Sequence, residues 1–450
     1  MSDLLSIGAS GLRAYQTALS TTSDNIANVG VAGYVRRTTN LKEVSATGSG
    51  LKAGVNIAGN GVVVSGVGRQ ADMFRAQAVR LSSADLARTE TSATWLARIE
   101  SALTDNGLDD RITDFFTAAR TLAADPTSVP GRAVLLEKAD GAATAFGQAG
   151  LALERATTEI DGTARQAVAT LNSLGAALAK VNDGLARAFA GSAQAAQLMD
   201  QRDRLTEQMS AIVDVDVQYD EIGRSQVRLG GGAGPVFVLG VNAGTASFAR
   251  NDEGAVQFAV QRAGSVLSLA PNGGALAGVV EGARRLADAT EALNDLADRF
   301  VTDINAVQAN GADLDGAPGG PIFTPGTPAT RMTVAMDDPR GIAAAAAGSP
   351  ANSRDASNLQ ALEAARIAGA FETGVTTLIT DNAAALEQRT LVANAQTAIR
   401  DNAAAARDAV SGVDLDAEAV ELLRFQQAFQ ASSRVIQTAR DILQTLLDIR

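Results

Sequence analysis

An apolar residue returns at every seventh position near the start of the chain: Leu5, Leu12, Leu19 and Ile26, interleaved with Gly8, Tyr15, Thr22 and Val29. A period of seven draws a stripe along one helix face and favours coiled-coil packing. The pattern predicts a helix of about 25 residues between residue 3 and about residue 29, roughly 37 Å long at about 1.5 Å per residue. The far end repeats it. Leu415, Leu422, Phe429, Ile436 and Leu443 are spaced by seven, interleaved with Glu418, Phe425, Ser432, Ala439 and Leu446. Ser411 or Asp414 can cap that helix, and Asp416 and Glu418 suit the positive end of its dipole. Heptad helices at both extremes are expected to pair with each other and with copies of themselves.

Between them the period changes several times. Residues 38–70 are rich in glycine and β-branched residues and read as loop with short extended stretches around Val62–Val64. Residues 71–211 are helical, with a break at Asp125, Pro126, Pro130 and Gly131. At Val213 the period becomes two. Val213, Val215, Val217 and Tyr219 alternate with polar residues, as in a half-buried strand. Strand-like runs continue to residue 270, separated by glycine-rich turns. Helix returns over 275–310 and 355–410, around a Gly-, Pro- and Asp-rich stretch at 311–350.

The predicted fold is mainly α with a small β domain. Residues 1–37 and 411–450 form terminal coiled-coil helices. Residues 38–212, 271–310 and 351–410 form a central helical-bundle body. Residues 213–270 and 311–350 form an inserted β domain with its loops, completed by 320–336.

Composition narrows the chemistry. The 450 residues contain no cysteine and no histidine. That removes disulfides, thiolate nucleophiles, the commonest general base and the usual zinc ligands. No catalytic constellation stands out, and the expectation is a protein that is not an enzyme and holds no cofactor or metal. DLDG at 313–316 begins like a calcium loop but lacks the closing Glu, so it reads as a turn. Asp109–Asp110 and Asp337–Asp338 read as solvated charge, and Asp200 with Arg204 as an intrahelical pair. The net charge of −12 argues against nucleic acid and anionic membranes as partners. No apolar run approaches the ~20 residues that span a bilayer. The first residues lack the pattern of a cleavable secretory signal. Aromatic residues are only 4% of the chain, and alanine supplies much of its apolar content, which suits closely packed helices.

One stretch exceeds what helix termination explains. SDNIANVGVAGYVRR, residues 23–37, places Asn25, Asn28, Gly30, Gly33 and Tyr34 at the end of the first heptad helix. Asn and Gly tolerate the left-handed backbone that ends helices. The run from residue 10 to 37 also resembles the amino-terminal signature of bacterial flagellar axial proteins, S-G-L, then N-I-A-N, then T-P-G-Y. Here Val31–Ala32 replaces Thr-Pro, while Asn25, Asn28, Gly33 and Tyr34 remain. Four further stretches, at 59–80, 125–139, 198–217 and 411–450, resemble the hook-associated, hook–filament junction branch of that family, in family order.

The resemblance implies a structural adaptor at the hook–filament junction, polymerising through its terminal helices. Leu5, Leu12, Leu19, Ile26, Leu415, Leu422, Phe429, Ile436 and Leu443 are the expected subunit-interface residues. The implied partners are copies of the chain in a ring or helical lattice, hook protein below, a second junction protein and the filament above, and a flagellar export chaperone. The implied location is the extracellular flagellum, reached without a cleavable signal peptide. The rival readings are another axial component such as hook protein or the second junction protein, a secreted coiled-coil adhesin or effector, and a carboxylate enzyme on the β insert.

Overall fold

Both heptad segments fold as long helices, α1 (Ser2–Ala27) and α9 (Leu415–Asp448), which pack against each other. The computed structural model of the chain describes residues 2–31, 33–44, 61–251 and 254–448. Ala32, the glycine-rich residues 45–60 and the side chain of Leu446 lie outside the described residues. After α1 comes an antiparallel hairpin of β1 (Arg37–Glu43) and β2 (Val62–Arg69), which rests on α1. Its first strand starts at Arg37, where the sequence shows little alternation.

The body is built from α2 (Met73–Thr104), α3 (Leu108–Leu122), α4 (Val129–Arg187), α5 (Ala193–Ile212), α6 (Gly274–Ala309), α7 (Ser357–Gly369) and α8 (Phe371–Ser411). Asp72 caps α2 by accepting from Phe74 and Arg75 amides. Helix α2 runs between α6 and α8. Helix α4 has 59 residues and spans about 88 Å. The break expected at 125–131 is a turn before this helix. Pro130 and Gly131 lie in its first turn, where proline's missing N–H costs nothing. Six phenylalanines, Phe115, Phe116, Phe146, Phe300, Phe323 and Phe371, form one aromatic core with ring centroids 5.1–6.1 Å apart. All six are essentially fully buried, which makes this cluster the main apolar anchor of the body.

The inserted strands form two antiparallel sheets. One runs β3 (Val215–Tyr219), β4 (Ser225–Leu229), β5 (Val236–Leu239), β6 (Asn242–Ala243). The other runs β7 (Thr245–Arg250), β8 (Val256–Arg262), β9 (Ser265–Leu269). Val227, Leu229, Phe237 and Val238 of the first sheet, and Phe258, Val260 and Leu269 of the second, are buried. Gly175 of α4 lets Phe237 approach to where a Cβ would lie 2.5 Å from its ring.

The segment 311–350 departs from the sequence reading. It does not complete either sheet. Its strands β10 (Gly311–Ala312) and β11 (Ala345–Ala346) pair with each other, and Ala312 bridges Pro318 of the same segment. Asn305 of α6 accepts from the Ile322 and Phe323 amides and donates to the Phe323 carbonyl. That places Phe323 in the aromatic core of the body. Buried Arg132 of α4 donates to the Ile342 carbonyl. The segment therefore belongs physically to the helical body, because its apolar residues find the phenylalanine cluster rather than a strand edge.

Candidate assembly site at the terminal helices

Helices α1 and α9 run antiparallel. Gly8 lies against Ile436, Tyr15 stacks near Phe425 at 6.4 Å between centroids, and Asn25 meets Glu418 at 3.0 Å. The buried face of α1 is Gly8, Gly11, Ala14, Ala18, Thr21, Thr22 and Asn25. Cβ atoms on Gly8 and Gly11 would lie 2.6 Å from Ile436 and 2.7 Å from Ser432, so only glycine permits this approach. On α9 the buried positions are Glu418 and Ala439. These residues are mainly the interleaved set of the heptads and their small neighbours.

The nine leucine-type positions take a different place. Leu5, Leu12, Leu19 and Ile26 on α1, and Leu422, Phe429 and Ile436 on α9, are half-buried. Leu415 and Leu443 are exposed, at 49% and 43%. Ile436 touches the partner helix at Gly8. Val420, Leu423, Val435 and Ile442 add further exposed apolar surface to α9. The helix pair thus closes on small residues and leaves much of its apolar seam open.

Asn25, Tyr34, Arg36 and Arg37 form the joint between this pair and the body. Asn25 is 1% exposed and makes four hydrogen bonds. Its amide nitrogen donates to the Arg37 carbonyl at 2.8 Å and to Glu418 Oε2 at 3.0 Å. Its Oδ1 accepts from the Arg37 amide at 3.0 Å and from the Tyr34 hydroxyl at 2.9 Å. All four of its hydrogen-bonding positions are used. Arg36 reaches Glu418 Oε1 at 2.5 Å, and its amide donates to the Ser411 carbonyl. One side chain therefore holds α1, the strand β1 and α9 together.

The other motif residues have simpler roles. Asn28 donates back to the Asp24 carbonyl at 2.8 Å and helps close the helix end. Gly33 has φ +74°, and Arg204 passes where its Cβ would be, so glycine is required on both counts. Tyr34 has the Arg37 guanidinium over its ring at 4.9 Å. Burial pushes the Tyr34 phenol above its ordinary pKa. Arg37 opposes this, while the Asp24, Asp200 and Glu418 carboxylates add to it. Of the two capping candidates for α9, Asp414 does the work, accepting from the Asp416 and Ala417 amides.

A second, deeper ionic cluster lies beside the first. Asp200 of α5 accepts from Arg37 at 2.8 Å and from Arg69 of β2 at 2.8 Å. Arg69 also reaches Asp203 at 2.8 Å. Asp200 therefore points across to the hairpin, rather than along its helix to Arg204 as the spacing suggested. Burial pushes its carboxyl up, against the pull of Arg69 and Arg37. The partners are 131 and 163 residues away, so no local pattern in the sequence reveals them.

Other carboxylates singled out in the sequence lie in turns and helix starts. Asp313 Oδ1 accepts from the Asp315 and Ala317 amides, closing a turn. Asp109 and Asp110 lie in the first turn of α3. Among the described residues no group of three or more metal-type side chains converges, and no helix is long and apolar enough to cross a membrane.

This arrangement, a self-pairing couple of terminal helices locked to a helical body, is that of a flagellar axial protein. Residues 5–34 match the family described as flagella basal body rod protein, and residues 408–449 that described as flagellar basal body rod FlgEFG protein C-terminal. Residues 96–323 match the flagellar hook-associated protein FlgK helical domain, and the chain belongs to that family. It is 33% identical over 236 residues to flagellar hook-associated protein 1 of Salmonella typhimurium, which is 52% of this chain and 42% of that protein. The corresponding protein of Escherichia coli is 30% identical over 236 residues, with the same coverage. That of Bacillus subtilis is 27% identical over 237 residues, covering 51% of this chain and 47% of its own length. The matches span less than half of each relative. In fold, the chain resembles the flagellar hook junction protein FlgK of Burkholderia pseudomallei, with a TM-score of 0.66 at 16% identity. That likeness covers 74% of this chain and all of the other.

Proposed function

We propose that the chain is a structural adaptor at the hook–filament junction of the bacterial flagellum, polymerising through α1 and α9. The observation that carries this is the open seam. The helix pair leaves Leu415, Val420, Leu423, Val435, Ile442 and Leu443 at least 40% exposed. Fully burying one such side chain contributes roughly 1.5–3 kcal/mol. Together these exposed side chains along α9 are a strong drive to pack beside other subunits. The two faces of a stacking subunit must differ in a helical lattice or ring, so contacts are heterologous rather than two-fold. Leu5, Leu12, Leu19, Ile26, Leu422, Phe429 and Ile436 are the half-covered members of this surface.

The partners in this reading are copies of the chain, hook protein below, and a second junction protein with the filament above. Delivery is through the flagellum's own export channel with a chaperone, without a cleaved signal. The names borne by the relatives and the family-ordered motifs support it. Electron microscopy of cells lacking the gene, with flagellin assayed in the medium, tests it. Hooks without filaments and shed flagellin are expected. The matches of both ends to rod-protein families favour one alternative, a hook or rod component, and loss of the hook itself is its signature. Normal flagella in cells with a single gene copy overturn both.

A further inference from the structure

We propose that the outer edge of β9 is a docking strand for an extended, acidic peptide segment of a partner protein. The two edges of this sheet are treated differently by the rest of the molecule. In β8–β9 the turn is Ala263–Gly264, both with positive φ, so Arg262 and Ser265 close a two-residue hairpin. The register then alternates. Ser265, Leu267 and Leu269 bond to β8, while Val266 and Ser268 turn their N–H and C=O groups outward.

The opposite edge, β7, has the same problem and an evident solution. Ala246, Phe248 and Arg250 are its outward residues, and α4 packs along this edge. Asn172 of α4 accepts from the Ala246 amide at 2.7 Å and donates to its carbonyl at 2.9 Å. That side chain occupies the place a further strand would take. No described residue does this for Val266 or Ser268. Their side of the strand is open, and residues 265–268 are all exposed.

The exposed residues are also of the wrong kind for a protected edge. Natural edges carry charges, proline or bulges. Here Val266 is 65% and Leu267 55% exposed. Leu267 stands on the face whose other members, Phe258, Val260 and Leu269, are buried. It lines a groove of about 720 Å³, opposite Val236 and Pro235, with Arg228 and Arg262 at its walls. Arg228 is faced by Asp216 across the β3–β4 pair. Arg262 has no carboxylate partner among the described residues and leaves the groove with a net positive charge.

These features specify the occupant. A strand laid along β9 completes the hydrogen bonds of Val266 and Ser268. Its inward apolar side chains cover Leu267, and an inward carboxylate meets Arg262. This is strand addition, in which backbone bonds supply affinity and alternate side chains supply selectivity.

The test uses the full-length chain and two synthetic peptides, Ac-TETVTV-NH2 and Ac-TKTVTV-NH2, which set one charge and two valines on the same strand face, with hydrogen exchange read over residues 263–270. The acidic peptide is expected to slow exchange at Val266 and Ser268 by roughly tenfold or more at saturation, and the basic peptide to leave it unchanged. Arg262→Glu should invert that preference. Val266→Pro, tolerated at an edge whose N–H faces solvent, should abolish protection while the thermal melt stays unchanged. Equal protection by both peptides overturns the charge assignment. No protection by either overturns the site. Protection that grows with the concentration of the chain alone makes a second copy the occupant, and overturns the proposal.

Discussion

Replacing Asn25 with alanine should release the terminal helices from the body while leaving the body folded. The substitution removes four hydrogen bonds at once. It leaves the Arg37 N–H and C=O and one Glu418 oxygen without their partner, at a place where Asn25, Arg37 and Glu418 are 1–5% exposed. Each buried group left unpaired costs about 1–3 kcal/mol. Water entering the vacated volume restores part of that. The expected loss is about 3 kcal/mol for opening of the joint, a factor of roughly 150 in its equilibrium constant.

The molecule provides separate reporters for the two regions. Trp95 is its single tryptophan, 4% exposed within α2 of the body. Its fluorescence follows the body. Hydrogen exchange in α1 and α9 follows the joint. Asn25→Ala should speed exchange in both terminal helices by about a hundredfold, with little shift in the Trp95 denaturation midpoint. Asn25→Asp keeps the two acceptor bonds, loses both donors and sets a second carboxylate against Glu418, so it should be worse than alanine near pH 7. The reasoning is refuted if exchange in α1 and α9 stays within threefold of the parent, or if the Trp95 midpoint falls as far as the joint does.

Three other outcomes follow from the same geometry. Gly8→Val drives a branched side chain into Ile436 and should loosen the α1–α9 pair by about 1–3 kcal/mol, seen as loss of helical circular dichroism without change in Trp95 emission. Leu12→Asp and Leu422→Asp place charges on the half-open seam, and should abolish filament growth on hooks in complementation assays while the purified chain keeps its Trp95 transition; normal filaments from either refute the seam. The raised Tyr34 pKa means the native state keeps this proton to higher pH than the unfolded chain, so stability falls as the pH rises above about 10. Tyr34→Phe should remove that part of the slope in denaturation midpoints measured between pH 9 and 12.

How much of this was visible in the sequence depended on the range of the interaction. The heptad repeat marked α1 and α9 within a few residues, since a period of seven is a local property. It did not show which stripe of each helix turns inward. Leu12 and Leu422 dominate any hydrophobic count, whereas the closest contact is made by Gly8 and Gly11, which such a count scores as nothing. Strand β3 was legible from alternation, and β4, β5, β8 and β9 as strand-like runs between glycine-rich turns, the Ala263–Gly264 turn among them. Strand β1 was not, because RTTNLKE carries almost no apolar alternation. The segment 311–350 was assigned to the wrong neighbours, since nothing in its Pro- and Gly-rich stretch signals that Phe323 completes an aromatic core. Asn25 was singled out through the family resemblance. Its partner Glu418 lies 393 positions away, and only the fold brings the two together.

The choice of small residues for the α1–α9 contact has a consequence for the proposed assembly. Two heptad helices closing on their leucine stripes would bury the surface that subunits need for one another, and the isolated chain would be saturated. Placing Gly8 and Gly11 at the contact brings the backbones near while the leucine-type positions stay half-buried or exposed. Such a contact has little apolar area and by itself holds weakly. The polar joint compensates, fixing the pair at one end through Asn25, Glu418 and Arg36, with Arg37, Arg69 and Asp200 anchoring the hairpin to the body behind it. Orientation is thus set by directional bonds inside the subunit, and adhesion is left to apolar surface outside it. If that division holds, joint mutants and seam mutants should fail differently: Asn25→Ala subunits should still associate but stack irregularly, whereas Leu422→Asp subunits should not associate at all.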